Sequence, residues 1–123
     1  MSIATLEHVN LTVTDPARLA ALLRDLCGWR IRWEGPSMNG GHTVHIGSDS
    51  AYLALYTNDQ AAGGYDKGQP LNHVGLLVDV LTTAEKVVKN AGLETFGHDD
   101  YDPGQRFYFF DWDGIEFEIV SYD

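Results

Sequence analysis

The feature that most constrains the fold of this chain is a short phrase that occurs twice. The segment "HVNLTV" begins at His8, and the segment "HVGLLV" begins at His73. In both, apolar residues stand at every second position, which is typical of a half-buried β-strand. Because a histidine opens both strands, we expect the chain to consist of two structural repeats.

Each repeated strand is followed by a pattern that predicts a short amphipathic helix. In the first half Asp15 can cap the helix and Gly28 can end it. In the second half Thr82 or Thr83 can serve as the cap, and Gly92 can end the helix. Three strand-like segments then follow each helix, so each half is predicted to be βαβββ.

The predicted fold class is therefore α+β, with two βαβββ repeats that form a cup-shaped mixed sheet. Residues 1–123 form a single domain in this interpretation, with modules at about 1–58 and 70–123. The segment between them, "TNDQAAGGYDKGQP", is rich in glycine and turn residues and suits a linker better than a packed element. The two modules can close the cup within one chain or across a homodimer, which is the assembly we expect.

Charge excludes several classes of partner. The chain of 123 residues has 8 Lys and Arg against 18 Asp and Glu, a net charge of −10, which repels nucleic acid and anionic lipid surfaces. It has neither a basic leader nor an apolar run of about 20 residues, so we expect a cytoplasmic protein with no membrane partner. Cys27 has no cysteine to pair with, and its helical setting favours a buried thiol.

The two histidines and a late hairpin are the candidates for chemistry. A pseudo-twofold axis between the repeats would place His8 and His73 on facing walls of the cup, although either alone is more often an ordinary strand residue. In "FFDWDGIEFEIV", Glu116 and Glu118 share one face of a strand. That face can simply be solvated, or it can supply the carboxylate of a 2-His-1-carboxylate metal site.

The repeated blocks "EHVNLTV…DPARLAALLRDLCGW" and "NHVGLLV…AGL", together with "RFYFFDWDGIEFEIVSY", resemble the vicinal oxygen chelate superfamily. This superfamily includes glyoxalase I, bleomycin-resistance proteins, extradiol dioxygenases and fosfomycin-modifying thiol transferases. The resemblance implies that the metal-binding carboxylate stands four residues after Gly114, which selects Glu118 and leaves Glu116 as a rim or outer residue. It implies His8 and His73 as the other two ligands, for Fe²⁺, Mn²⁺, Ni²⁺ or Zn²⁺.

The same resemblance suggests residues that would surround a substrate. Tyr108 resembles a tyrosine found in both extradiol dioxygenases and fosfomycin transferases and could hydrogen-bond a substrate oxygen, or it could be a core aromatic. His98 lies one residue from the place of an acid–base histidine, or it is an exposed loop residue. Asn10, Ala54 and Arg106 are candidates to line the substrate pocket, although Asn10 could instead satisfy a strand edge. At most one of two further histidines of the third strand, His42 and His45, can face the cup.

The predicted reaction depends on a carboxylate ligand that the first repeat lacks. Glyoxalase I enzymes fill two symmetric carboxylate positions, but Ala54 stands where the first repeat would match Glu118. We therefore expect a metal-dependent enzyme whose small substrate chelates the ion through adjacent oxygens, with extradiol-type oxygenation first and a glyoxalase-like lyase second. The segment "HDDYDPG" would repel a phosphonate and disfavours fosfomycin modification. The alternative is a non-catalytic bleomycin-resistance-type protein, favoured by acidity and by Trp29, Trp33 and Trp112.

Overall fold

The computed structural model describes residues 2–37, 40–101 and 104–123, including their side chains except those of residues 99–101. The chain divides into two compact units. One comprises residues up to 24 and residues 28–62, and the other comprises residues 25–27 and 63–123. Each unit has its own four-stranded sheet, so the two halves are described separately.

The first unit carries a mixed sheet of four strands in the order β1-β4-β3-β2. Strand β1 is parallel to β4, and the other neighbours are antiparallel. A single α-helix follows β1 in the chain. The elements are β1 (His8–Thr12), α1 (Pro16–Cys27), β2 (Arg30–Pro36), β3 (His42–Gly47) and β4 (Tyr52–Thr57).

The second unit repeats this plan, with strand order β5-β8-β7-β6 and β5 parallel to β8. The elements are β5 (Val74–Leu77), α2 (Leu81–Asn90), β6 (Thr95–Tyr101), β7 (Gly104–Phe110) and β8 (Glu116–Ser121). The predicted α+β class with two βαβββ repeats is confirmed.

The helix ends follow the sequence signals except at the start of α2, and Gly92 with a φ of +85° follows directly after the C-cap of that helix. Asp15 caps α1 by accepting a hydrogen bond at Oδ1 from the backbone N–H of Arg18, and Gly28 ends the helix in the left-handed conformation. The cap predicted at Thr82 or Thr83 is wrong, because α2 begins at Leu81 and both threonines lie within its first turn. Within the described ranges, no helix is long and apolar enough to cross a bilayer.

The sheet of the second unit has a packed face and an opposite face that carries polar groups. Alternation along β7 and β8 gives the packed face four fully buried residues: Phe107, Phe109, Phe117 and Ile119. Helix α2 packs against β6, β7 and β8 and contributes buried Ala84 and Val88. The opposite parity places Arg106, Tyr108 and Glu118 on the other face.

The segment after Gly63 is not the loose linker that its composition predicts. The backbone N–H of Tyr65 donates to the carbonyl of Asp113 at 2.9 Å, in the turn between β7 and β8. Gly114 makes this approach possible, because a Cβ atom there would lie 2.8 Å from the carbonyl oxygen of Tyr65. The chain from Gly63 onward therefore packs as part of the second unit.

Candidate metal centre

Four side chains converge on the open face of the second sheet. Nε2 of His73 lies 3.0 Å from Oε1 of Glu118. The other carboxylate oxygen, Oε2, accepts hydrogen bonds from Nη1 of Arg106 at 2.8 Å and from the hydroxyl of Tyr108 at 3.2 Å. The Glu118 and Arg106 side chains are each 12 % exposed, whereas that of His73 is 35 % exposed. The carboxylate is thus largely shielded from solvent, whereas the imidazole is partly exposed.

Strand register explains why these groups meet. Tyr108 on β7 and Gly75 on β5 both lie directly opposite Glu118 on β8. The backbone of β5 does not crowd the carboxylate, since even a Cβ atom at position 75 would come no closer than 4.0 Å to Oε1. His73 stands just before β5, so its ring reaches Glu118 from the sheet edge.

Nε2 of His73 and Oε1 of Glu118 are spaced like two neighbouring ligand atoms around a divalent ion. Metal–ligand bonds of about 2.1 Å at right angles place two donor atoms about 3 Å apart. The observed separation of Nε2 and Oε1 is 3.0 Å. An imidazole lone pair and a carboxylate oxygen at this distance repel each other unless a proton or a cation lies between them. The chemistry of this pair therefore suits a metal ion.

The third predicted ligand belongs to the other unit. His8 opens β1, and its Nδ1 lies 2.7 Å from Oε1 of Glu7. Among the residues that the structure describes, no three or more His, Cys, Asp or Glu side chains are grouped so that they could hold a metal ion. The second unit brings together two of the three predicted ligands, and metal binding by them and by His8 stays a prediction.

A row of rings crosses the sheet face that carries His8. The ring of His8 stacks on Tyr52 with centroids 4.9 Å apart, and Tyr52 stacks on His45 at 4.5 Å. Trp33 continues the row 5.1 Å from His45. Partial burial first, and then the charges of His8 and Arg32, hold the pKa of His45 below its ordinary value. His45 is therefore the histidine of β3 that shares a face with His8.

Comparing the register of the two sheets identifies equivalent positions. Asn10 lies opposite Ala54 in the first sheet, just as Gly75 lies opposite Glu118 in the second. His45 also lies opposite Ala54, just as Tyr108 lies opposite Glu118. Ala54 thus occupies the structural position of the carboxylate, and His45 occupies that of the tyrosine.

His98 does not join the cluster around Glu118. Its Nε2 lies 2.5 Å from Oε2 of Glu85 on α2, and its ring contacts Phe107 on the packed face. The cause is an irregularity in the pairing of β6 with β7 between Phe96 and Asp99, where Gly97 adopts a φ of +66°. One extra residue in the bulge reverses the direction of the side chains beyond it. The catalytic role predicted for His98 has no support from its position.

Glu116 is not the outer residue that the sequence analysis predicts. Its side chain is only 4 % exposed and forms an ion pair with Lys67. The reason is that the segment after Gly63 folds over this end of β8. His42, by contrast, is a surface residue whose Nε2 lies 3.6 Å from a carboxylate oxygen of Glu34.

Two residues beside His73 were not singled out by sequence reasoning. The side-chain oxygen of Asn72 lies 2.7 Å from Nδ1 of His73, and Nζ of Lys67 donates to the same oxygen at 3.0 Å. The available signal was the polar residue that precedes each repeated histidine, Glu7 before His8 and Asn72 before His73. The participation of Lys67 carries no comparable sequence signal, because it depends on how the glycine-rich segment folds.

Comparison with known proteins identifies the family. The sequence profile of the Glyoxalase/Bleomycin resistance protein/Dioxygenase superfamily matches residues 5–119. The chain belongs to this superfamily, as the resemblance of its repeats and hairpin indicates. Comparison with curated proteins gave no match.

Solved structures share the fold at low sequence identity. A glyoxylase/bleomycin resistance protein/dioxygenase domain from Frankia sp. EAN1pec is 21 % identical with a TM-score of 0.82, and the match covers 98 % of each chain. The fosfomycin resistance protein FosX from Listeria monocytogenes, complexed with Mn(II) and sulfate, is 17 % identical with a TM-score of 0.75. That match covers 98 % of this chain and 93 % of FosX. A FosX variant complexed with Mn(II) and 1S,2S-dihydroxypropylphosphonic acid is 17 % identical with a TM-score of 0.76, over 99 % of this chain and 95 % of that one.

Proposed function

We propose that this protein is a divalent-metal-dependent enzyme whose small substrate binds the ion through two adjacent oxygen atoms. The observation that carries the proposal is the facing pair of His73 Nε2 and Glu118 Oε1, 3.0 Å apart. His8 is the third ligand in this proposal, contributed by the first unit of the same chain or of a second one. A divalent ion held in this way supplies Lewis-acid activation at the positions that the protein leaves open.

The residues around Glu118 would hold the carboxylate in one orientation. Arg106 occupies Oε2, so Oε1 is the oxygen left to face a metal beside His73. A ligand whose second oxygen is hydrogen-bonded cannot rotate freely, which orients the first oxygen towards the ion. Arg106 also compensates part of the negative charge of a carboxylate that is largely removed from solvent.

The reaction that we place first is extradiol-type oxygenation of a catechol-like substrate, with a glyoxalase-like lyase second. Ala54 stands at the position equivalent to Glu118, so the first repeat offers no second carboxylate ligand. An octahedral ion with three protein ligands keeps about three positions for substrate and a further small molecule. A glyoxalase-type proton transfer would lack the carboxylate that moves the proton.

The position of Tyr108 gives it a direct role in this proposal. Its hydroxyl lies 3.2 Å from Oε2 of Glu118, beside the predicted ligand atom. When substrate binds, the hydroxyl can exchange this hydrogen bond for one to a substrate oxygen at the metal and stabilise negative charge there, while Arg106 continues to hold Oε2. His98 is left out of the mechanism, because it faces α2 on the packed side of the sheet.

The FosX structures support the substrate geometry. FosX holds Mn(II), and its dihydroxypropylphosphonic acid ligand carries two adjacent hydroxyl groups. A divalent metal together with a small ligand that has two adjacent oxygens is the combination that we propose here. The phosphonate part of that ligand is not carried over, because the acidic residues 99, 100 and 102 follow His98 in the sequence, outside the described side chains.

The alternative is a binding protein of the bleomycin-resistance type. The net charge of −10 and the exposed Trp33 beside His45 would suit a cationic aromatic ligand. Under this alternative, metal would be irrelevant to binding. Titration with a cationic aromatic compound, with and without a chelator, separates the two functions.

The experiment that tests the reaction is a screen of protein reconstituted with Fe(II) or Mn(II). Catechols, methylglyoxal hemithioacetal and epoxides are supplied under air and under nitrogen. We expect metal-dependent and oxygen-dependent turnover of a catechol. Turnover of hemithioacetal without oxygen would instead assign the lyase, and the absence of any metal-dependent turnover or ligand binding would contradict the proposal.

We also propose a homodimer, on the basis of the edge strands that bound each sheet. Strand β2 is an edge strand of the first sheet and presents Ile31 and Trp33, each nearly half exposed. Light scattering after gel filtration should give twice the chain mass of 13.6 kDa. A mass of one chain that does not change with concentration, in protein that still binds metal, would contradict the dimer.

A further inference from the structure

A chain of polar contacts lies behind His73, on the side away from Glu118. Nδ1 of His73 is 2.7 Å from Oδ1 of Asn72. Nζ of Lys67 donates to the same amide oxygen at 3.0 Å and is ion-paired with Glu116. We call Lys67 and Asn72 the positioning arm.

The contact with Lys67 determines which atom of Asn72 faces the histidine. An ammonium group has only donors, so the Asn72 atom beside Lys67 must be the oxygen and not the amide nitrogen. The same oxygen is the neighbour of Nδ1 of His73, so it accepts a hydrogen from Nδ1 in the tautomer that leaves the lone pair on Nε2. Oε1 of Glu118 competes by accepting from Nε2 in the other tautomer, until a metal ion takes that place.

The arm is anchored to the strand that carries the ligand carboxylate. Glu116 and Glu118 belong to the same strand, β8, and the Glu116 side chain that holds Lys67 is buried. The segment carrying Lys67 is also attached to the β7–β8 turn through the hydrogen bond from Tyr65 to Asp113. Lys67 and Glu118 are thereby both attached to the hairpin formed by β7 and β8.

The first repeat contains the same arrangement with a different acceptor. Oε1 of Glu7 lies 2.7 Å from Nδ1 of His8. Both oxygens of a carboxylate are acceptors, so Glu7 needs no lysine to define its orientation. Asn72 has one oxygen and one NH₂ group and does need one. This difference explains why a lysine accompanies the second histidine.

We propose that Lys67 and Asn72 are positioning residues that fix the tautomer of His73 and aim Nε2 at the metal. This inference rests on the proposed metal site and goes beyond it by assigning the hydrogen-bond partners that prepare one ligand. Partners of this kind typically change metal affinity by about 10- to 100-fold.

The test compares variants that remove or keep the acceptor. Asn72→Leu removes it, Asn72→Asp keeps an oxygen in every orientation, and Lys67→Met keeps the stem but loses the ammonium group. Lys86→Met, at an exposed position on α2, is the matched control. Mn(II) affinity is measured by titration calorimetry, and the tautomer of His73 is measured by ¹⁵N NMR on metal-free protein at alkaline pH, where imidazole is neutral.

We expect Asn72→Leu to weaken Mn(II) binding by about 10- to 100-fold, with Asn72→Asp and Lys86→Met close to wild type. Lys67→Met should fall between them, since the amide can then rotate. NMR should show a larger fraction of His73 with hydrogen on Nδ1 in wild type than in Asn72→Leu, since Asn72 favours that tautomer against the competing Glu118. Unchanged Mn(II) affinity and an unchanged tautomer in Asn72→Leu would overturn the inference.

The two readouts separate this inference from the proposed function. If wild-type protein binds no Mn(II), the proposed function fails. The tautomer of His73 in metal-free protein still decides whether the positioning arm acts as described. Circular dichroism of each variant shows whether the fold is retained.

Discussion

His73 and Glu118 face each other on the open side of the second sheet, with Nε2 and Oε1 separated by 3.0 Å. The remaining atoms of both side chains are engaged elsewhere. Nδ1 of His73 lies 2.7 Å from Oδ1 of Asn72, and Oε2 of Glu118 accepts from Arg106. Nε2 of His73 and Oε1 of Glu118 are therefore the atoms left to bind a metal ion between the two side chains.

Arg106→Met should make the protein more dependent on metal. The substitution removes the cation beside a carboxylate that is only 12 % exposed, so the metal-free protein should lose about 1–3 kcal/mol of stability. A bound divalent ion compensates that charge, so Mn(II) should raise the melting temperature more in the variant than in wild type. Thermal unfolding with and without Mn(II) measures this. An equal or smaller rise in the variant would contradict the role assigned to Arg106.

Ala54→Glu should add a ligand at the position equivalent to Glu118. Ala54 lies opposite Asn10 and His45, as Glu118 lies opposite Gly75 and Tyr108. A fourth protein ligand would leave fewer open positions, so water exchange at bound Mn(II) should fall, as measured by proton relaxation. Ala54→Gln is the control for side-chain size, since both variants enlarge a buried residue. The same relaxation in both variants would show that position 54 lies away from the metal.

Asp111→Ala should destabilise the turn that carries β8. Oδ1 of Asp111 accepts from the backbone N–H groups of Asp113 and Ile115, both at 2.9 Å. Loss of the oxygen that accepts both hydrogen bonds in a buried turn should lower the free energy of unfolding by about 2–4 kcal/mol. Asp111→Asn keeps an oxygen and should lose less. Denaturant unfolding measures both variants, and equal losses would contradict an acceptor role.

The same carboxyl group predicts a pH dependence. Burial raises the pKa of Asp111 above its ordinary value of 3.8, so the folded state binds its proton more tightly than the unfolded state. The bound proton of Asp111 therefore stabilises the fold fully below pH 3.8, and this stabilisation is lost as the pH rises through the higher pKa of the folded state. Wild type should gain stability relative to Asp111→Asn as the pH falls from above the folded pKa to 3.8. A constant difference between the two proteins would rule out this linkage.

Cys27 should be chemically silent in the folded protein. Burial raises the pKa of its thiol to about 12, so almost none is thiolate at neutral pH. We expect iodoacetamide to leave native protein unmodified and to label one thiol after unfolding in guanidinium. Mass spectrometry distinguishes the two, and rapid labelling of native protein would show that the thiol is accessible.

The repeat made much of the fold predictable. Alternating apolar residues located the strands that begin at His8 and Val74, and Asp15 and Gly28 located the ends of α1. These signals are local, since they depend on neighbouring residues in one strand or one helical turn. The equivalence of Ala54 and Glu118 followed from the same periodicity and agrees with the register of both sheets.

What could not be predicted depends on backbone detail or on distant contacts. The direction of His98 is reversed by a bulge at Gly97, and nothing in "LETFG" distinguishes a bulged strand from a regular one. The ion pair of Lys67 with Glu116 depends on how a glycine-rich segment folds back onto β8. Glycine permits many paths, so composition alone does not select one.

Metal binding by wild type and four single variants tests the central claim most directly. Purified protein is reconstituted with Mn(II) and freed of excess metal. Its Mn(II) content is then measured by inductively coupled plasma mass spectrometry. His73→Ala and Glu118→Gln remove the proposed ligands, and His42→Ala and Glu34→Gln remove the same residue types from an exposed surface pair. We expect about one Mn(II) per chain in wild type and in both surface variants, and almost none when either ligand is replaced. Equal Mn(II) content in all five proteins, or none in wild type, would contradict the metal centre.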